Sequence, residues 1–248
     1  MSKKKLLTLF GGLLLALNVS VVHAFAILHF EDTSSGTSAV PGALTSLGLD
    51  GTTTFTNDTT TFNSLITTNS YDLVIFGEQG GSPYTAVQSA LANYLTGGGF
   101  ILGTTWRIDG FASLMGASDP RTGVNDANLV TDGHPIFAGL PASVSLFNPG
   151  WGVWSSGWNP AAGATGIGSL AGGSAAILGN AGRTLLLGPL FDTYSNLSEG
   201  NLLVANSIEF LRGDSTPVPE PSALALLGAG LLGIVAAVRR RRPTSLGS

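Results

Sequence analysis

Apolar residues follow two rhythms along this chain. Unbroken runs predict strands covered on both faces: residues 25–30 (FAILHF), 71–78 (YDLVIFGE) and 100–106 (FILGTTW), with a shorter strand at 52–56 (TTTFT). Between them the spacing is helical. Residues 39–49 form one such stretch, with Thr37 or Ser38 available as a cap. Residues 59–70 follow Asp58, and their many threonines weaken the helix. Residues 82–99 place Pro83 in the first turn, Val87, Leu91, Tyr94 and Leu95 on one face, and Gly97 to Gly99 at the end. Strand and helix alternate through residue 106, which predicts a parallel sheet with helices on both faces.

The pattern then changes. Residues 107–126 read as a Gly/Asp/Ser loop, and 128–141 as a short turn around His134 and Pro135. Short strands are predicted at 143–148, 165–171, 174–180 and 183–190, which makes the second half β-rich. A Trp/Gly/Asn loop is expected over 148–163. Residues 199–213 close as an amphipathic helix, with Leu203, Ile208 and Leu211 inward and Gly213 as the stop. The glycines at 97–99 follow a helix and precede a strand, the reverse of a phosphate loop.

The two ends follow neither rhythm. Residues 1–24 run from Lys3, Lys4 and Lys5 through an apolar stretch to Val22, His23 and Ala24, the layout of a secretory signal peptide cleaved after Ala24. Near the other end, residues 223–238 hold no charge and approach the length of a spanning helix. Arg239, Arg240, Arg241 and Arg242 follow and are expected to stay cytoplasmic. The organisation expected is a signal peptide (1–24), an exported α/β domain (25–213), a Pro-rich linker (214–221), a single transmembrane helix with its arginine cluster (222–242) and a short cytoplasmic tail (243–248).

Charge is segregated the same way. The whole chain carries −4. The exported part has four arginines (107, 121, 183 and 212), no lysine and thirteen carboxylates, a net of −9. That excess argues against nucleic acid, which needs cations to displace phosphate counterions. With no cysteine, disulfides, thiolate metal sites and a cysteine nucleophile are excluded.

Val218, Pro219, Glu220, Pro221 and Ser222, then a short Leu/Ala/Gly helix, then the arginine cluster, resemble the PEP-CTERM sorting tail of Gram-negative bacteria. The resemblance implies export through the inner membrane and transient anchoring by the C-terminal helix. Signal peptidase and an exosortase are the processing enzymes it implies. It also implies a final place at the cell surface or outside the cell, often alongside exopolysaccharide and biofilm. The two prolines keep the motif extended and out of any helix, open to a processing enzyme.

A second resemblance covers most of 25–213. The stretches DGHPIFAGLP (132–141) and GRTLLLGPLFDTY (182–194), with the closing helix, are similar to the class I glutamine amidotransferase-like, flavodoxin-like superfamily. Catalytic members carry a cysteine on the turn after the strand equivalent to FILG. Here that turn reads Gly103-Thr104-Thr105-Trp106, so amidotransferase chemistry is not implied.

In an open parallel sheet, ligands bind beyond the carboxyl ends of the strands. That rule selects a candidate crevice of Glu31, Asp32, Glu78, Trp106, Arg107, Asp109 and Asp192, with His134 on a turn that can fold over the same rim. Four uses compete. Glu31, Asp32, Glu78 and Asp192 are oxygen ligands suited to calcium or magnesium, but no calcium-loop spacing appears, and no metal or cofactor is expected. Thr104 or Thr105 with His134 and an acid can compose a hydrolase, although no Gly-x-Ser-x-Gly elbow exists. Trp151, Trp154 and Trp158, beside Asn148 and Asn159, can stack on sugar rings or can cap the core. The last reading is a non-enzymatic surface or matrix module. The sequence favours that module, with or without glycan or exopolysaccharide binding, over a degenerate hydrolase in the strand-end crevice.

Overall fold

Alternate residues of the apolar runs feed two cores on opposite faces of one sheet. The computed structural model describes residues 24–213. The expected signal peptide, Pro-rich linker, sorting motif, membrane helix and arginine cluster lie outside them. Strands β1 (Ile27–Glu31), β2 (Thr53–Thr56), β3 (Leu73–Glu78) and β4 (Phe100–Thr105) come from the predicted runs. Ile27, Leu73, Ile75 and Leu102 enter one cluster, and Leu28, Phe30, Val74, Phe76 and Ile101 the other. Two-sided burial is why these strands read as unbroken apolar runs.

Helices complete each cluster. The first receives α1 (Ala39–Ser46) through Val40, Ala43 and Leu44. The second receives Phe62 and Ile66 from α2 (Thr59–Thr68), Val87, Leu91 and Leu95 from α3 (Tyr84–Thr96), and Phe111 from the one-turn α4 (Phe111–Leu114). Fully burying one such side chain contributes about 1.5–3 kcal/mol. The predicted caps are in place: Val40 N donates to Ser38 Oγ (3.2 Å), and Thr61 N to Asp58 Oδ1 (2.7 Å).

The second half is β-rich, and it holds more structure than expected. Within 107–126 lie α4 and β5 (Ala117–Val124), where a loop was expected. Strands β6 (Asn128–Val130) and β7 (Ser143–Ser145) form one antiparallel pair. Within 148–163 lies β8 (Ser156–Pro160), antiparallel to β5 with a shift of register between Ser118 and Gly123. Glycine marks a close backbone approach here: a Cβ on Gly157 would collide with the Leu170 carbonyl oxygen. Strands β9 (Thr165–Ile167), β10 (Ala176–Gly179) and β11 (Thr184–Leu187) then return to the main sheet. Helix α5 (Leu197–Arg212) buries Leu203, Ile208 and Leu211 against the first cluster, beside α1, and ends at Gly213 with φ +76°.

The main sheet runs β2-β1-β3-β4-β11-β10-β9. The first five strands are mutually parallel, and β10 is antiparallel to both neighbours. Five parallel strands in this order are the flavodoxin-like arrangement, whose switch point lies between β1 and β3. Among the described residues no helix is long and apolar enough to cross a membrane.

Candidate functional site

The carboxyl ends of β1, β3, β4 and β11 converge at one edge, but the switch point there is roofed. Asp32 accepts three backbone N–H groups, from Gln79 (2.8 Å), Gly80 (3.0 Å) and Gly81 (2.6 Å), tying the turn after β3 to the end of β1. Asp192 Oδ2 accepts from Ser35 N (2.9 Å) and Gly36 N (3.1 Å) and draws the 33–36 loop over the same point. Asp192 is buried and its Oδ1 has no partner. Burial pushes its pKa up, with help from the nearby Glu31 charge. The expected crevice is therefore two hollows. One, of about 400 Å³, lies against β1, β2 and α1 and includes Glu31 and Asp32. The other, of about 280 Å³, is lined by Ser82, Trp106, Arg107, Ile108, Asp109 and Arg121.

Glu78 sits beneath the second hollow and is fully buried. Its Oε1 accepts from Tyr84 N (3.2 Å) and its Oε2 from Thr105 Oγ1 (2.7 Å). Burial first, and then Asp109 as hydrogen-bond partner and charge, push its pKa up to about 8. Two carboxyl groups in contact cannot both ionise cheaply, so Glu78 holds on to its proton. A proton on Glu78 also gives Asp109 Oδ2 a partner, which that atom otherwise lacks. Asp109 Oδ1 accepts from Phe111 N (3.2 Å) at the start of α4. The threonines of the β4 turn are engaged as well. Thr104 Oγ1 donates to Pro189 O (2.8 Å), and Thr105 Oγ1 accepts from Arg107 N (2.8 Å) while donating to Glu78. Both are buried, neither touches a histidine, and the one carboxyl group in contact, Glu78 at Thr105, is itself held protonated by its surroundings.

Trp106 lines the second hollow, and Trp154 and Trp151 continue from it as a row of rings. Trp106 and Trp154 have ring centroids 3.9 Å apart, and Trp154 and Trp151 5.2 Å apart. The Arg121 guanidinium lies 4.5 Å over the Trp106 ring and also donates to the Trp106 carbonyl. Trp106 is thus enclosed between Arg121 and Trp154, and all three tryptophans are half-buried. Asn148 shapes their loop: its Oδ1 accepts from Gly150 N (2.8 Å), Trp151 N (3.1 Å) and Ser35 Oγ (3.0 Å). Phe147, beside it, is 52% exposed. Arg107 reaches Ser82 Oγ through Nε (3.2 Å) and Nη2 (2.9 Å).

Two of the sequence-selected residues do not belong to this site. Trp158 is not a loop residue: it lies on β8, is fully buried and packs in the second core cluster. His134 does not fold over the rim. Its Nδ1 accepts from Ile136 N at a long 3.4 Å, and its ring packs 4.9 Å from Phe210 near the end of α5. Arg212, two residues on, stacks over Phe25 just before β1, which puts this end of α5 at the amino edge of the sheet. Burial depresses the His134 pKa. A Thr–His–Asp arrangement is therefore not assembled. Among the described residues no group of three or more His, Asp or Glu is placed to hold a metal ion.

Sequence reasoning missed Arg121, Ser82, His29 and Phe55. The last two had a legible signal. His29 and Glu31 are two apart on a strand and so face the same way, and Phe55 pairs with His29 across β1 and β2.

Residues 217–242 match the PEP-CTERM protein-sorting motif. That motif marks exported proteins sorted to the cell surface by an exosortase. It covers the tail and not the domain. Among solved structures, a glutamine amidotransferase from Thermotoga maritima superposes with a TM-score of 0.50 at 16% identity, over 83% of this chain and 94% of that one. A protein designated SMU.1228c superposes with a TM-score of 0.52 at 11% identity, over 75% and 99%. These likenesses establish a glutamine amidotransferase-like fold and nothing about activity. A comparison with curated protein sequences finds no match.

Proposed function

We propose that this exosortase-sorted protein is a non-enzymatic surface or matrix component, and that its domain (25–213) binds glycan at the tryptophan rim. The observation that carries this reading is the row of Trp151 and Trp154, joined through Trp106 to a hollow holding Arg107, Arg121, Asp109 and Ser82. Aromatic faces stack on the apolar faces of sugar rings, and the polar groups fix the hydroxyls. Of the four arginines in the domain, Arg107 and Arg121 line this hollow, while Arg183 binds Leu95 O and Arg212 covers Phe25. The guanidinium groups and Asp109 can bond sugar hydroxyls, and the net −9 of the domain favours a neutral over an acidic exopolysaccharide. The Phe25–Arg212 contact also brings both ends of the domain to the amino edge, so the rim would point away from a membrane-held tail.

Two tests follow. On a glycan array, the full-length protein is expected to bind selectively, and Trp151→Ala and Trp154→Ala each to weaken binding by roughly tenfold, the equivalent of about 1.4 kcal/mol. Equal binding by all three proteins would remove the rim from the account. For the tail, mass spectrometry of the mature protein is expected to show loss of residues 1–24 and, only in cells with an exosortase, loss of the segment after Pro219-Glu220-Pro221. A C-terminus still carrying Arg242 in both strains would sink the sorting scheme.

The rival reading, a hydrolase in the same rim, draws on one observation, the Glu78–Asp109 carboxyl pair. Turnover of a chromogenic glycoside or ester panel that disappears in Asp109→Asn would favour it.

A further inference from the structure

The first hollow lies apart from the tryptophan rim, on the other side of the roofed switch point. Its floor is a linked set of buried polar groups. Glu31 Oε2 accepts from Ser38 Oγ (2.8 Å) and His29 Nε2 (2.9 Å), and Glu31 Oε1 accepts from Gln79 Nε2 (2.8 Å). His29 is only 3% exposed. A carboxylate has no proton to give, so Nε2 must carry the hydrogen, and in the neutral tautomer of the ring Nδ1 is an acceptor. No group of the protein bonds to Nδ1 among the described residues. A nearly buried side chain thus presents an unused acceptor to a hollow of about 400 Å³.

The walls define what fits there. Phe55, on the edge strand β2, is 58% exposed, with its ring 5.0 Å from His29. Leu44 of α1 supplies an apolar side. The charged groups around the hollow are carboxylates, Glu31, Asp32 and Asp50, and no lysine or arginine lines it. An anion is repelled here. A cation is attracted by the summed field and by the face of Phe55.

We propose that this hollow is a second ligand site, for a primary ammonium group carried on a small ring. The ammonium donates to His29 Nδ1 and to the carboxylates, and the ring lies against Phe55 and Leu44. The volume falls in the range of small-molecule pockets.

The matched probes are cyclohexylamine and cyclohexanol, which differ in charge and donor count but share a ring, titrated into the full-length protein by NMR. Cyclohexylamine is expected to bind saturably, with shifts at His29 and Phe55 and weaker binding at high salt, while cyclohexanol binds at least tenfold more weakly. Phe55→Ala is expected to weaken cyclohexylamine binding by about 2–5-fold, the equivalent of 0.5–1 kcal/mol for an exposed cation–π contact. Asp50→Asn, at an exposed position, is expected to weaken it in the same direction. Trp154→Ala should leave it unchanged, so this site and the rim fail or stand separately. Equal binding of the two probes, absence of binding by both, or loss of cyclohexylamine binding in Trp154→Ala but not in Phe55→Ala would each overturn the proposal.

Discussion

Trp158→Ala is expected to cost about 3–5 kcal/mol of folding stability, the usual range for emptying a fully buried aromatic site. The ring is wholly buried in the cluster that also holds Phe111, Met115 and Ile177. The strand carrying it exchanges hydrogen bonds with Ser174, 3.2 Å from Trp158 N and 2.8 Å to Trp158 O. A domain of this size holds roughly 5–15 kcal/mol in total, so the loss is a large fraction of it. Denaturant unfolding should show a lower midpoint with little change in slope. Trp158→Phe should recover much of the loss, because the indole N–H has no hydrogen-bond partner to forfeit. The half-buried Trp151 and Trp154 should cost far less when truncated. If Trp158→Ala were as mild as Trp151→Ala, the placement of Trp158 in the core would be wrong.

The second large effect concerns Glu78. Its pKa in the folded protein is pushed up to about 8, from 4.5 for a free glutamate. The folded state therefore keeps a proton between those values that the unfolded chain has released. Stability from this group is full below about pH 4.5 and falls as pH rises to about 8, by an amount on the order of a few kcal/mol. Glu78→Gln keeps one oxygen to accept from Tyr84 N and an NH2 that can donate to Asp109, loses the acceptor for Thr105 Oγ1, and has nothing to titrate. Unfolding free energies measured at pH 5 and pH 8 should diverge for the natural protein and lie closer together for Glu78→Gln. Asp192, whose pKa is also raised, contributes a slope of the same sign, beginning above the usual aspartate value. Parallel profiles for the two proteins would show that Glu78 is not the titrating group.

Both effects depend on contacts that pattern alone does not reveal. The first half was legible because its strands are covered on both faces. Residues 71–78 and 100–106 had to be continuous apolar runs, and the helices between them had to carry a stripe toward each core. Caps were legible because Ser38 and Asp58 act within three residues of themselves. The β5–β8 ribbon was not. Its sequences, ASDPRTGV and SGWNP, are rich in the residues that strands disfavour. They pair because Gly123 and Gly157 let other backbone segments approach, and glycine in that role looks the same in sequence as glycine in a loop. Trp158 went with its neighbours for that reason.

The candidate site divides similarly. The strand-end rule placed Glu31, Asp32, Glu78, Trp106, Arg107, Asp109 and Asp192 at one edge of the sheet. It could not show that Asp32 and Asp192 spend their carboxylates on backbone N–H groups, which closes the middle of that edge. Nor could it place His134, because the turn that carries it packs on α5 rather than over the strands.

The glycan reading meets its most direct test in affinity electrophoresis of the secreted protein through gels containing the producing cell's own exopolysaccharide. The natural protein is expected to be retarded, and the Trp151→Ala, Trp154→Ala double variant to run as it does in a gel without polysaccharide. Free migration of the natural protein, or equal retardation of both, would contradict a glycan-binding rim.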